Sequence, residues 1–368
     1  MVSVLHVSQP TSGGVGRAVL GLARAQHEAG LEVTVACPPG PLAQDLGVSG
    51  IAWQRWDSAR RPTERVRGEG RSLAAIVAGQ LPDLVHLHSS KAGLVGRLTL
   101  RRRVRTVFQP HAWSFLAVVG GARQAAIRWE RFATRWTDIT LFCSLREQRD
   151  GASLGIAGTG RVVLNGVDLD RFAPGGQVEA RHRLSVPAGA FVACVVGRRS
   201  HQKGQDIALR AWPAVRAADP NALLLLIGDG YQDGFDATTG VLTRAGRADV
   251  QLAYRAADLV LAPSRWEGLS LSVLEAMACG RSTVATEVAG SREALTSGPL
   301  PAAGEVVPPA DPDALAAAVL RRRHDPGLGQ GEGAAARRRA ERTFRDRATS
   351  HSVQDAYGLV LADGGRPC

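Results

Sequence analysis

The amino-acid sequence predicts an α/β protein built from two Rossmann-like domains, and three observations carry that expectation. Short apolar, β-branched runs alternate with stretches of helical periodicity, the pattern of parallel sheets covered on both faces. A turn-rich segment interrupts the alternation once, after which it starts again. The 368 residues are also more than one hydrophobic core usually organises.

Val2 to Val7 reads as the first strand and stops at the turn-rich Gln9-Pro-Thr-Ser-Gly-Gly. A helix follows, with Val15, Val19, Leu22, Ala23 and Gln26 on one side and Gly30 as its stop. Leu31 to Ala36, Leu84 to His88, Thr106 to Gln109 and Ile139 to Ser144 continue the series of strands. The segment from Leu164 to Gly176 then reads as a connection between domains. Phe191 to Val196, Leu223 to Ile227 and Leu259 to Ala262 open the second unit, and no convincing strand is read between Thr238 and Val250. The expected domains are 1–165, on the acceptor side, and 166–345, which binds the donor. An Arg-rich amphipathic helix, within about Ala334 to Leu361, leads into a segment 346–368 expected to pack back on the first domain.

Hydrophobic residues at 45% and charged residues at 21% fit a folded globular chain. No apolar run approaches the roughly 20 residues that span a bilayer, and Met1 to Val7 lacks the basic start of a secretory leader. The expected location is therefore cytoplasmic, with peripheral contact at the inner membrane face as an option. Five scattered cysteines argue against a disulfide framework or a zinc site. The net charge of +11 favours anionic partners, although 5% aromatic content and dispersed arginines speak against nucleic acid. Only Lys91 and Lys203 are lysines, which draws attention to both. The Arg triplets at 321–323 and 337–339 are expected to be solvated helix faces.

Three segments carry chemistry. In Ser12-Gly-Gly-Val-Gly16 a strand meets a helix, and Gly14 and Gly16 let backbone N–H groups approach a phosphate; a plain tight turn is the competing reading. Arg198 and Lys203 flank the loop after Val196, where two cations suit a diphosphate leaving group, or form only a solvated basic turn. Between Ala262 and Gly280, Glu267 ends a loop and the N–H groups of Gly268, Leu269 and Ser270 are placed to hold a phosphate. Glu275 lies two turns on, where it can accept hydrogen bonds from a ribose diol, unless both acids merely complement the helix dipole.

Taken in order, these segments resemble the retaining glycosyltransferases of family 4. The likeness also covers Asp83-Leu-Val-His-Leu-His-Ser89, His111 and Asn165-Gly-Val-Asp168, and includes the Glu-x7-Glu spacing of Glu267 and Glu275. It implies the GT-B architecture, two Rossmann-like domains facing a deep interdomain cleft. It implies transfer of a sugar from a UDP- or GDP-linked donor to a saccharide, lipid-linked or small-molecule acceptor. Under it Arg198 and Lys203 bind the diphosphate, Glu275 the ribose, and Glu267 and His111 the donor sugar as the catalytic pair. No metal or cofactor beyond the donor is implied. Two departures stand out: the shortened Thr238 to Val250 region, and Gly280-Arg-Ser282 where the family usually has Gly-x-Pro. A non-catalytic partner subunit and a sugar-nucleotide epimerase are the alternative readings.

Other signals are expected to be structural. Asp168-Leu-Asp170 lies in a hinge-like turn, so a metal role is not expected of it. His86 and His88 share a strand face but have no third ligand nearby in the sequence, so packing is expected. Ala122 to Trp136 is a basic helix with Trp129, Phe132 and Trp136 in a stripe; it could lie on an anionic membrane, but a core-facing stripe is expected. Trp113 and Phe115 either line an acceptor pocket or pack beside His111.

Overall fold

The computed structural model describes residues 1–59, 65–246 and 250–362. The chain divides into two compact units: Met1–Gly166 joined by the helix that begins at Asp346, and Val167–Arg345.

The first unit contains strands β1 (Ser3–Ser8), β2 (Glu32–Cys37), β3 (Ala52–Arg55), β4 (Leu84–His88), β5 (Arg105–Gln109), β6 (Ile139–Phe142) and β7 (Gly160–Val162). They form a seven-stranded sheet in the order β3-β2-β1-β4-β5-β6-β7, parallel throughout. Helices α1 (Gly13–Glu28), α2 (Pro41–Val48), α3 (Val66–Gln80), α4 (Ser89–Leu100), α5 (Gly120–Ala133) and α6 (Leu145–Ser153) connect the strands. Strand order reverses between β1 and β4, and in such sheets ligands gather beyond the strand ends at that point. One face of the sheet packs Leu5, Val85, Leu87 and Phe108 against Leu73, Val95 and Trp113. The other buries Val4, Leu84, Val107 and Leu141 against Leu22 and, from the far end of the chain, Val353, Tyr357 and Val360.

The second unit repeats the design. Strands β8 (Val192–Val196), β9 (Leu223–Gly228), β10 (Gly234–Asp236), β11 (Val241–Ala245), β12 (Leu259–Ala262), β13 (Ser282–Thr286) and β14 (Gly304–Val307) lie in the order β10-β11-β9-β8-β12-β13-β14. All neighbours are parallel except the edge pair β10–β11. Its helices are α7 (Gln177–Arg183), α8 (Gln205–Ala218), α9 (Val250–Ala256), α10 (Leu271–Ala278), α11 (Ser291–Leu295), α12 (Pro312–His324) and α13 (Pro326–Thr343). The switch point here falls between β8 and β12. The closing helix of the chain, α14 (Asp346–Ala362), belongs to the first unit.

The structure corrects several expectations. Between Thr238 and Val250 the chain does form a strand, β11, paired in register with β9 from Val241↔Leu224 to Ala245↔Gly228; residues 247–249 lie outside the described ones. Its residues alternate poorly because it is next to the edge and buries only Leu242. The arginine triplets are not simply solvated faces. Arg322 is buried against Glu332 at 2.7 Å and Glu305 at 2.9 Å, and Arg339 donates from a buried position to the carbonyl of Ala294 at 3.0 Å. Helical geometry sends one of three consecutive side chains inward, and a guanidinium goes there when acids or carbonyls await it. Ser282, where a proline was expected, bonds Glu332 at 2.5 Å and so joins the Arg322 network.

The aromatic stripe of α5 does not face the core. The helix buries Ile127, Glu130 and Ala133, whereas Phe132 is 43% exposed and Trp129 and Trp136 are half-buried. Arg135 lies 4.0 Å over the Phe132 ring, and Arg97 and Arg101 approach Trp129 and Trp136. Trp113 and Phe115 are the opposite case, both buried and stacked on each other.

Candidate functional site

In the second unit, Arg198 and Lys203 lie on the loop leaving β8, and Glu267 on the loop leaving β12, the two strands flanking the switch point. The loops are stitched together. Arg265 N–H donates to the Gln202 carbonyl at 2.7 Å, Gln202 Nε2 to the Trp266 carbonyl at 3.1 Å, and the Arg265 guanidinium binds both oxygens of Asp206 at 2.8 and 2.6 Å. Gly204 permits this approach: its φ is +65°, and a Cβ there would sit 1.9 Å from the Pro263 carbonyl oxygen.

Across the junction Lys203 Nζ meets Glu267 Oε1 at 2.6 Å, and Ser264 Oγ donates to the same oxygen at 2.8 Å. The side chains are 21% and 10% exposed, so the pair is shielded yet reachable. Arg198 is half-buried and bonds Gln202 Oε1 at 3.4 Å, with its carbonyl held by Gln205 Nε2 at 2.9 Å.

Gly268 and Leu269 lead to Ser270, the N-cap of α10, whose own hydroxyl bonds Ser272 Oγ at 2.9 Å instead of capping the helix. All eight residues of α10 are buried, Glu275 among them at 2% exposure. An isolated carboxylate would not be stable there; Tyr254 O–H donates to Glu275 Oε2 at 2.8 Å. Tyr254 was not singled out in the sequence, where it lies twenty-one residues upstream.

In the first unit, α1 opens with Gly13 at φ +71° behind Ser12, and no acid occupies its first turn. Space around Gly14 is open, whereas a Cβ at Gly16 would lie 3.0 Å from the Thr11 carbonyl carbon. Gly14 thus leaves backbone accessible, and Gly16 lets the helix pack on the preceding turn.

His111 follows β5 with φ +53°, and Ala112 follows it with φ +96°, both left-handed and disfavoured for residues with a Cβ. Glu147, fully buried on α6, holds this loop: Oε1 accepts from Ala112 N–H at 2.7 Å and Oε2 from Cys143 N–H at 2.7 Å. Trp113 Nε1 donates to the Glu147 carbonyl at 2.8 Å. Burial raises the Glu147 carboxyl to about 7, against the pull of the two N–H donors. The sequence reading missed Glu147; a Ser-x-x-Glu capping pattern, Ser144 to Glu147 with the N–H to Oγ bond at 3.1 Å, is its only local signal.

Both nitrogens of His111 are engaged within the unit, Nε2 with His88 Nδ1 at 3.0 Å and Nδ1 with Cys143 Sγ at 3.5 Å. Burial lowers His111 to about 4, so its ring is neutral across the physiological range. His6, read in the sequence only as strand, continues the chain: its Nδ1 meets His88 Nε2 at 2.9 Å and its Nε2 meets Gln26 Oε1 at 2.8 Å. Desolvation lowers His6 to about 4 and takes His86 and His88 well below the ordinary imidazole value. His86 and His88 therefore do have a third histidine beside them, contrary to the expectation from the sequence.

The other noted residues are structural. Lys91 makes a buried ion pair with Glu69 at 2.7 Å. Asp168 Oδ1 accepts from the N–H groups of Asp170 and Arg171, closing a turn. Cys37, Cys143, Cys194 and Cys279 are free and buried. A pocket of about 720 Å³ between α8 and the β10–β11 hairpin contains none of the residues named for the site.

Family models cover both units: residues 12–171 match Glycosyltransferase Family 4 and residues 190–325 match Glycosyl transferases group 1. D-inositol 3-phosphate glycosyltransferase 1 of Catenulispora acidiphila is 32% identical over 325 residues, 78% of this chain and 77% of that protein. The chain belongs to glycosyltransferase family 4. A D-inositol 3-phosphate glycosyltransferase of Saccharomonospora viridis is 36% identical over 225 residues, 55% of this chain but only 50% of that relative. The structure of Anabaena Alr3699/HepE in complex with UDP and glucose superimposes with a TM-score of 0.81 at 21% identity, covering 97% of this chain and 100% of that one. The fold is thus the two-domain α/β GT-B type, and this glycosyltransferase contains, among the described residues, no helix long and apolar enough to cross a membrane.

Proposed function

We propose that this glycosyltransferase moves a sugar from a UDP- or GDP-linked donor with retention of configuration, and that Val167–Arg345 holds the nucleotide. The observation carrying this reading is the Lys203–Glu267 contact at 2.6 Å at the β8/β12 switch point, with buried Glu275 on the helix that starts beside it. Lys203 and Arg198 neutralise the charge that grows on the departing diphosphate. The first-turn N–H groups after Gly268, Leu269 and Ser270 add a positive helix end. Glu275 takes the ribose hydroxyls. Lys203 and Ser264 both engage Glu267 Oε1, and Oε2 takes a sugar hydroxyl. The complexes of Anabaena Alr3699/HepE with UDP and glucose and with UDP-glucose support a uridine donor as the first to try.

His111, neutral and anchored by His88, Cys143 and the Glu147 clasp, offers its ring edge and main chain to the donor sugar, and the open backbone at Gly14 approaches the phosphates. Chemistry of this kind needs no metal. The acceptor is a saccharide, a lipid-linked sugar or a small molecule. The half-exposed Trp129, Phe132 and Trp136, with arginines over their rings, fit peripheral contact with an anionic membrane that would present a lipid-linked acceptor.

Thermal stabilisation by UDP, GDP, ADP and their sugar conjugates, without added metal, tests the donor assignment, since a ligand of the native state raises stability with affinity. Stabilisation by one nucleotide family is expected. No shift from any of them, in folded protein, sinks the donor assignment in favour of a non-catalytic subunit. Turnover of the nucleotide sugar with no acceptor consumed points to an epimerase instead. NMR of the product's anomeric centre tests retention. His111→Ala should slow transfer at least about tenfold while nucleotide affinity stays within about twofold; transfer at the parent rate removes that role.

A further inference from the structure

His6 on β1 and His86 on β4 are register partners in a parallel pair, and His88 lies two residues further along the same face. They are 0%, 0% and 1% exposed. One ring nitrogen from each lies within 4.8 Å of the others. His86 Nε2 is fully buried and has no hydrogen-bond partner. Leaving such a group unsatisfied costs about 1–3 kcal/mol.

The outward nitrogens, by contrast, are all held. His6 Nε2 meets Gln26 Oε1 at 2.8 Å, His86 Nδ1 meets Tyr357 O–H at 2.7 Å, and His88 Nδ1 meets His111 Nε2 at 3.0 Å. Each ring therefore has one nitrogen turned to a common point and the other fixed by an orienting group, the arrangement metal-ligating histidines adopt. We propose that His6, His86 and His88 form a buried site for a divalent transition metal, zinc first, that ties β1 to β4. Three imidazoles without a carboxylate at the centre suit zinc, cobalt, nickel or copper and not calcium or magnesium. Zinc–nitrogen bonds of about 2.0–2.1 Å place tetrahedral ligand nitrogens about 3.3 Å apart, so the 2.9 Å His6–His88 contact opens by a few tenths of an ångström, while the widest of the three separations, at most 4.8 Å, closes by up to about 1.5 Å.

Occupancy also reverses the protons of the histidine chain. With the centre empty, the Gln26 oxygen fixes the proton on His6 Nε2, so His88 Nε2–H donates to His6 Nδ1 and His111 Nε2–H to His88 Nδ1. With metal on His6 Nδ1 and His88 Nε2, His88 must carry its proton on Nδ1 and donate to His111 Nε2. His111 then holds its proton on Nδ1, facing Cys143. Each ring keeps one proton throughout, so the switch is tautomeric and its readout is spectroscopic.

Because the site is sealed, metal is best supplied during synthesis: the full chain is produced in zinc-poor medium containing cobalt, desalted and analysed for metal. The expected result is one cobalt per chain with the intense visible bands of a four-coordinate site made by three imidazole nitrogens and one water. His86→Ala should lose the band, and Tyr357→Phe, which removes only the orienting hydroxyl, should bind about 10–100-fold more weakly. Weak six-coordinate bands that desalting removes would mean surface binding and would overturn the proposal. So would wild-type protein retaining no more cobalt than folded His86→Ala. If His86→Ala fails to fold, substoichiometric metal in the wild type after growth with both zinc and cobalt overturns it equally.

Discussion

At the β1/β4 switch point the polar side chains are neutral imidazoles sealed from water, whereas at the β8/β12 switch point solvent partly reaches Lys203, Arg198 and Glu267, with Glu275 buried on the helix beside them. The strand order 3-2-1-4-5-6 underlies both, counting the parallel strands within each unit, so the backbone does not set the difference. Side chains do. A sealed neutral chain orients groups without competing for a ligand's charge. On the function proposed above, the shielded Lys203–Glu267 pair is a charge already assembled for an anion. On the same proposal, the second unit supplies electrostatics and the first geometry.

The two lysines test that division directly, because one lies in each unit. Lys91 and Glu69 are 3% and 1% exposed, while Lys203 and Glu267 are 21% and 10% exposed. Removing one partner of a fully buried pair leaves a bare charge and costs about 3–5 kcal/mol. Lys91→Ala should therefore show the largest stability loss in chemical denaturation, with nucleotide affinity unchanged in the protein that remains folded. Lys203→Ala should do the reverse, weakening nucleoside diphosphate binding about 10–100-fold, or about 1.4–2.8 kcal/mol, by calorimetry. Equal effects of both changes on affinity would break the comparison.

The sequence made the central strands legible because parallel sheets bury both faces and leave continuous apolar runs such as Leu223–Gly228. Glu267 and Glu275 stood out for their fixed spacing on one loop and one helix. What was hidden depends on register or on the partner of an inward charge. His6 looks like one polar residue in a strand; only the pairing of β1 with β4 places it opposite His86, eighty residues away. Arg322 and Ser282 read as a solvated charge and a turn variant until Glu332 joins them. Strand β11 escaped because its position beside the edge asks for just one buried side chain, Leu242.

Glu147 gives the finest test, since it is a buried acid held by backbone N–H groups beside the neutral imidazoles. Burial raises its carboxyl to about 7 in the folded chain, above the unfolded value near 4.5. A group whose folded value is raised contributes stability that is complete below the unfolded value and is lost as pH climbs through the folded one. Across pH 4.5 to 7 that loss amounts to as much as about 1.4 kcal/mol per pH unit for one group. Glu147→Gln cannot titrate, and its amide can accept from only one of the Ala112 and Cys143 N–H groups. The variant should be less stable than the parent, by a margin widest near pH 5 that narrows toward pH 7 as the other titrations cancel in the difference. Denaturant midpoints of the two proteins at pH 5, 6 and 7 measure this margin. If the margin stays constant or grows with pH, the carboxyl is ionised inside the fold, and the first unit holds a working negative charge beside His111 after all.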